Sequence, residues 1–105
     1  LYANDEGLAG DLLASSELAG EHLWRMPLTE GLKDQLKSDI ADTKNTGERF
    51  GGSITAALFL QEFIQGTPWA HMDIAGPASG SADSGSKTRG GSGVGVATLA
   101  ELLLN

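Results

Sequence analysis

The sequence predicts an α/β fold that is mostly helical in itself, with one clear strand. Three observations carry that prediction. Residues 4–24 and 53–65 repeat apolar side chains at helical spacing. Residues 69–75, "WAHMDIA", change face at every step, as a strand does. Between that strand and the end of the chain, residues 76–93 are dominated by Gly and Ser and read as a long loop.

The first helix is predicted over 4–24, "NDEGLAGDLLASSELAGEHLW". Asn4 can cap it, and Asp5 and Glu6 stand where the helix dipole favours acids. Leu8, Leu12, Ala19 and Leu23 form an apolar stripe, with Asp11, Ser15 and Glu21 on the opposite face. Pro27 is expected to stop it. A second, shorter helix is predicted over 29–40, with Leu32, Leu36 and Ile40 facing one way and Lys33, Asp34 and Lys37 facing water. The segment 41–52, rich in Asn and Gly, reads as loop.

Residues 53–65, "SITAALFLQEFIQ", give the strongest helical pattern. Ser53 can cap this helix and Gly66 can end it. Its apolar residues lie nearly all round, which predicts burial on most sides. The preceding Gly51-Gly52 pair would allow close backbone approach. In the strand, Trp69, His71, Asp73 and Ala75 share one face and Ala70, Met72 and Ile74 the other. Apolar groups on both faces predict a covered strand. The last helix, within 94–105, sets Val96, Leu99, Leu102 and Leu103 on one side. One strand cannot satisfy its own backbone groups. Its sheet is therefore expected from missing sequence or from another chain. The start at Leu1 rather than Met gives the same expectation of a piece of something longer.

Composition narrows the function. The chain has 105 residues, enough for one small domain, and no Cys, which removes Cys-ligated zinc and disulfides. The same lack favours a cytoplasmic over a secreted protein. No run of 18 apolar residues offers a membrane span, and no basic stretch before an apolar run offers an export signal. The net charge is −7, and the seven Lys and Arg are scattered, so the basic face that nucleic acid needs is missing.

Four motifs bear on chemistry. "GERFGGS" at 47–53 has P-loop glycine spacing, but Ser53 stands where the phosphate-gripping Lys belongs. "GGSGVG" at 90–95 could cradle an anion before a helix, although a flexible linker accounts for it better. His71 and Asp73 share a strand face, yet two ligands do not close a metal site. The plainer reading buries each beside Trp69 with a hydrogen-bond partner. Ser53, His71 and Asp73 could be arranged as a triad, but nothing around Ser53 marks a nucleophile elbow.

The order of segments says more. "GEHLWRMPL", then "LKSDIADTKNTGERFGGSITAALFLQEF", then "TPWAHMDIAGPA", then "GVGVATLAELLLN" resembles the C-terminal part of the leucyl aminopeptidase family, the cytosolic two-metal aminopeptidases. The resemblance runs over nearly the whole chain and is weakest at 79–92. It implies the C-terminal piece of a mixed-sheet catalytic domain flanked by helices. It also implies a hexameric exopeptidase that removes N-terminal residues such as Leu, using two divalent metal ions, zinc or manganese. The family's metal signature, Asn-Thr-Asp-Ala-Glu-Gly-Arg-Leu, lies upstream of the matched stretch, so no metal ligand or catalytic residue is expected here. "NTGER" at 45–49 imitates it without the Asp, which leaves Glu48 and Arg49 no catalytic role.

By the same resemblance, Ala75 and Ala78 line the pocket for the substrate's first side chain. Thr46 lines the pocket for the second, where many relatives carry Ile. His71 and Asp73 fall on strand positions that do not hold metal. The rival expectation is a stand-alone, non-catalytic remnant that binds a partner or itself. DNA binding, which some bacterial relatives show, runs against the charge.

Overall fold

A computed structural model describes residues 1–39, 42–43, 46–47, 51–80 and 90–105. The readings of Ile40, Asn45, Glu48 and Arg49, and of the loop over 81–89, fall outside these residues. In order, the elements are β1 (Tyr2–Ala3), α1 (Glu6–Ala19), a 3-10 helix (Glu30–Leu36), α2 (Gly52–Gln61), β2 (Ala70–His71), β3 (Ser79–Gly80), β4 (Gly90–Gly91) and α3 (Val96–Leu104). They belong to two compact units, Leu1–Ala9 with Arg25–His71, and Gly10–Trp24 with Met72–Asn105.

In the first unit, β1 pairs antiparallel with β2, Tyr2 opposite His71 and Ala3 opposite Ala70. Two residues of the strand therefore find a partner in the chain's own first residues. "LYA" is too short to show alternation, so the pattern could not reveal it. Only Ala70–His71 of the predicted 69–75 is paired strand. Asn4 continues the pairing rather than capping α1. Its backbone N–H and side-chain amide donate to Trp69 O and Thr67 O, both at 3.1 Å, and its Oδ1 accepts from Trp69 N at 2.7 Å. The cap is Asp5, whose Oδ1 accepts from Leu8 N at 2.8 Å. Arg25 then grips Glu6 with both terminal nitrogens, at 2.5 and 2.7 Å.

The predicted second helix is a 3-10 helix that stops at Leu36. In that geometry residues i and i+3 eclipse. Lys33 with Glu30 at 2.7 Å and Lys37 with Asp34 at 2.9 Å are such pairs. The helix packs on α2. Gly51, in the left-handed region at φ 69°, starts α2, and Ser53 caps nothing. The Ser53 hydroxyl instead hydrogen-bonds the hydroxyl of Tyr2, a fully buried side chain. Of α2 only Thr55, Ala57 and Leu58 are buried, while Leu60 and Phe63 face solvent, so burial all round does not hold within this chain.

In the second unit, Gly20 ends α1 seven residues before Pro27. With φ 74° it lets its own N–H reach Glu17 O at 3.2 Å and Glu21 N reach Ser16 O at 2.9 Å. This is the two-bond Schellman closure. Ser15 and Ser16 are buried with Leu12, so the seam of α1 runs through a serine pair that the apolar stripe left out. The Ser16 hydroxyl satisfies itself on Leu13 O at 2.7 Å. Within the predicted 76–93 loop, β3 and β4 pair antiparallel, Ser79 opposite Gly91 and Gly80 opposite Gly90.

Candidate functional site

The chemistry-bearing residues were expected near 69–78. His71 is half-buried between two rings: it stacks on Trp69 at 6.3 Å and 11°, and lies 6.1 Å from Tyr2. Asp73 is exposed rather than buried. Its Oδ1 accepts from Ala75 N at 3.0 Å, a side chain closing a turn two residues on. The aspartate is thus spent on backbone geometry. Ser53 is engaged by Tyr2. Among the described residues, no three or more His, Asp or Glu side chains gather into a group that could hold a metal ion.

The turn that Asp73 closes carries two of the expected pocket residues. Ala78 N donates to Ile74 O at 2.9 Å, so Ala75 and Ala78 sit on one tight turn. Ala75 is exposed and Ala78 half-buried. The turn is clamped from the β4 side. Ser92 N donates to Ala78 O at 2.8 Å, and the Ser92 hydroxyl donates to Pro77 O. Thr46 belongs to the first unit. It is exposed, and its hydroxyl donates to Gly47 O at 3.2 Å. Gly47 next to it packs so close that a Cβ there would stand 2.7 Å from Gln35 Oε1 and 3.1 Å from the Thr55 side chain.

One functional-looking group escaped the sequence reading. Glu21, placed on the wet face of a long helix, lies past the helix end. Its Oε2 accepts from Gly95 N at 2.7 Å, and its Oε1 accepts from Thr98 N at 2.7 Å and Thr98 Oγ1 at 2.9 Å. The helix N-terminus after "GGSGVG" thus holds the protein's own carboxylate. Residues 90–95 are accordingly tied down by β4 and by Glu21, and they are not the flexible linker that was expected. The signal was present in "LAGEHL": a Gly at the end of an apolar run is a helix stop, and the residue after it leaves the helix face.

A family model described as the cytosol aminopeptidase family, catalytic domain, matches residues 1–100. The chain belongs to the cytosol aminopeptidase family. This is the family that the order of segments resembles. A "Probable cytosol aminopeptidase" from Synechococcus sp. (strain JA-3-3Ab) is 53% identical over 104 residues, 99% of this chain and 20% of that protein. Among solved structures, the bottromycin maturation enzyme BotP in complex with Mn superposes with a TM-score of 0.93 at 44% identity. That match covers 97% of this chain and 23% of BotP. A mutant of tomato leucine aminopeptidase superposes with a TM-score of 0.87 at 38% identity, over 98% of this chain and 20% of its own. The chain thus spans about a fifth of the length of the curated relatives it matches, and the match falls in their C-terminal part. As a cytosol aminopeptidase segment it is an α/β piece, helices with short antiparallel strands. Among the described residues, no helix is long and apolar enough to cross a membrane.

Proposed function

We propose that residues 1–105 form the C-terminal segment of the catalytic domain of a metal-dependent aminopeptidase, and that the segment lines the pocket for a peptide's first side chain. The turn that presents Ala75 and Ala78 carries this reading. Two methyl side chains on a backbone held by Asp73 and Ser92 would leave room in front of them, as a Leu-sized side chain needs. Thr46 would give the second pocket a hydroxyl. The metal ions, two divalent cations such as zinc or manganese, would take their ligands from the rest of the enzyme, where the resemblance places the family's metal signature. The Mn-bound state of BotP supports divalent metal use.

The exposed apolar residues support a partner for this segment. Leu18, Val96, Leu103 and Leu104 all present most of their surface to solvent, with Leu103 and Leu104 at 83%. Such a concentration marks a contact face. On this reading it packs against the remainder of the catalytic domain or against other subunits of a cytoplasmic hexamer. A second reading uses the same face: a stand-alone remnant that only self-associates. The mass of the native polypeptide separates them: a species of 10.9 kDa supports the remnant, and one about fivefold larger, as the 20% coverage of the relative implies, supports the enzyme segment.

The decisive experiment sets Ala78→Phe and Ala75→Phe in the full-length enzyme and compares Leu- and Ala-p-nitroanilide. Filling a Leu pocket should cut kcat/KM for the Leu substrate about 10–100-fold while sparing the Ala substrate, the range that a pocket discriminates by size. An unchanged Leu/Ala ratio would refute the pocket. Metal-dependent turnover by the isolated 105 residues would refute the placing of the metal ligands elsewhere.

A further inference from the structure

We infer that Glu21 is a positioning residue for the wall made by Ala75 and Ala78. This inference rests on the pocket reading above and extends it to a residue 54 and 57 positions away in sequence. The relay is continuous. The Schellman closure at Gly20 throws Glu21 off the axis of α1. The Glu21 carboxylate then accepts three hydrogen bonds from the start of α3, from Gly95 N, Thr98 N and Thr98 Oγ1. Thr98 is fully buried, so water cannot replace these bonds without opening the unit.

Gly95 is thereby fixed, and Ser92 lies three residues before it. Val94 N donates to Ser92 Oγ at 3.3 Å, a local turn that sets the Ser92 rotamer. From that rotamer Ser92 reaches Pro77 O, and its backbone N–H reaches Ala78 O at 2.8 Å. Without the carboxylate, α3 would start with uncapped buried donors, and 92–95 would lose its anchor. The wall clamped by Ser92 would then lose its position, although no pocket residue had changed.

Chemistry dictates the choice of variant. Glu21→Gln keeps the size but replaces one accepting oxygen by a donor. Either Gly95 N or the Thr98 donor pair then faces an N–H. The full-length enzyme carrying Glu21→Gln should show a KM for Leu-p-nitroanilide raised about fivefold to tenfold, with kcat changed less than about twofold, the pattern of lost uniform binding. Its preference for Leu over Ala should fall in parallel. Ser92→Ala should act in the same direction. The double variant should be no worse than the worse single one, because both cut one relay.

An unchanged Leu/Ala ratio in Glu21→Gln, or an equal loss on both substrates, overturns the inference. Ala78→Phe, run in the same assay, tells which idea has failed. If it shifts the ratio and Glu21→Gln does not, the positioning role falls and the pocket stands. If neither shifts it, both fall. Should Glu21→Gln fail to fold, Thr98→Val removes a single hydroxyl bond to the carboxylate. With Ser92→Ala it decides the question by the same ratio.

Discussion

Gly51 and Gly52 are adjacent, yet replacing each by Ala should move stability in opposite directions. Gly51 precedes α2 at φ 69°, ψ 25°, in the left-handed region. Any residue with a Cβ carries a cost of about 1–2 kcal/mol there. Packing adds little, because a Cβ at 51 would meet only Leu32 Cδ1, at 3.4 Å. Gly52 is the first residue of α2, its φ is not positive, and a Cβ there meets nothing within 4 Å. Ala at 52 removes freedom from the unfolded chain and should stabilise by about 0.4–1 kcal/mol. The two variants should therefore differ by about 1.4–3 kcal/mol. Urea unfolding followed by the fluorescence of Trp24 and Trp69 reads this directly. With a slope of about 1–3 kcal/mol per molar, the midpoints should part by about 1 M, with Gly51→Ala below the parent and Gly52→Ala above it. A midpoint for Gly51→Ala at or above the parent would mean that the left-handed start of α2 is not what this Gly supplies.

Two further outcomes follow from the first unit. Leu58 has no exposed surface, so Leu58→Ala should cost about 2–5 kcal/mol in the same titration; a loss below 1 kcal/mol would place the side chain outside a packed core. Glu6 is held below the ordinary carboxylate range, first by its hydrogen bond to Arg25 and then by the charge. A depressed folded-state pKa gives stability that is present above the unfolded value, about 4.3, and lost as pH falls through the folded value. Glu6→Gln should flatten that acid slope and leave neutral-pH stability nearly unchanged, since the pair is exposed. An identical acid slope in the variant would remove the ion pair from the account.

Helical elements were legible where a stripe or a breaker marks them. α3 falls within its predicted span, and α2 starts one residue before its own, at Gly52, because apolar spacing and flanking Gly bracket them. The predicted 4–24 helix ran past its end because Gly20 was passed over and Pro27 was taken as the stop. β1 was not legible, because two residues carry no period and their partners lie 67 and 69 positions away. Of the proposed site, Ala75 and Ala78 were reached only through the resemblance. Small residues leave no mark in a pattern that counts large ones.

Polar residues were misread for a single reason. Asn4, Ser15 and Glu21 were assigned to caps or to water by their place on a helical wheel, which asks only which side of one element faces out. Asn4 and Glu21 instead satisfy needs set by other parts of their units, and Ser15 is buried rather than wet. Asn4 extends a strand pairing to Thr67 and Trp69, Ser15 is buried in the seam of α1, and Glu21 supplies acceptors to the start of α3. A helix leaves its first four N–H groups without internal partners, and strand ends leave theirs. Where such an end is buried, some side chain must come to it. The donors at Gly95 and Thr98 follow from the position of α3 alone. Glu21, just past the Gly20 helix stop, is the carboxylate that answers them, whatever face of α1 it would have lain on.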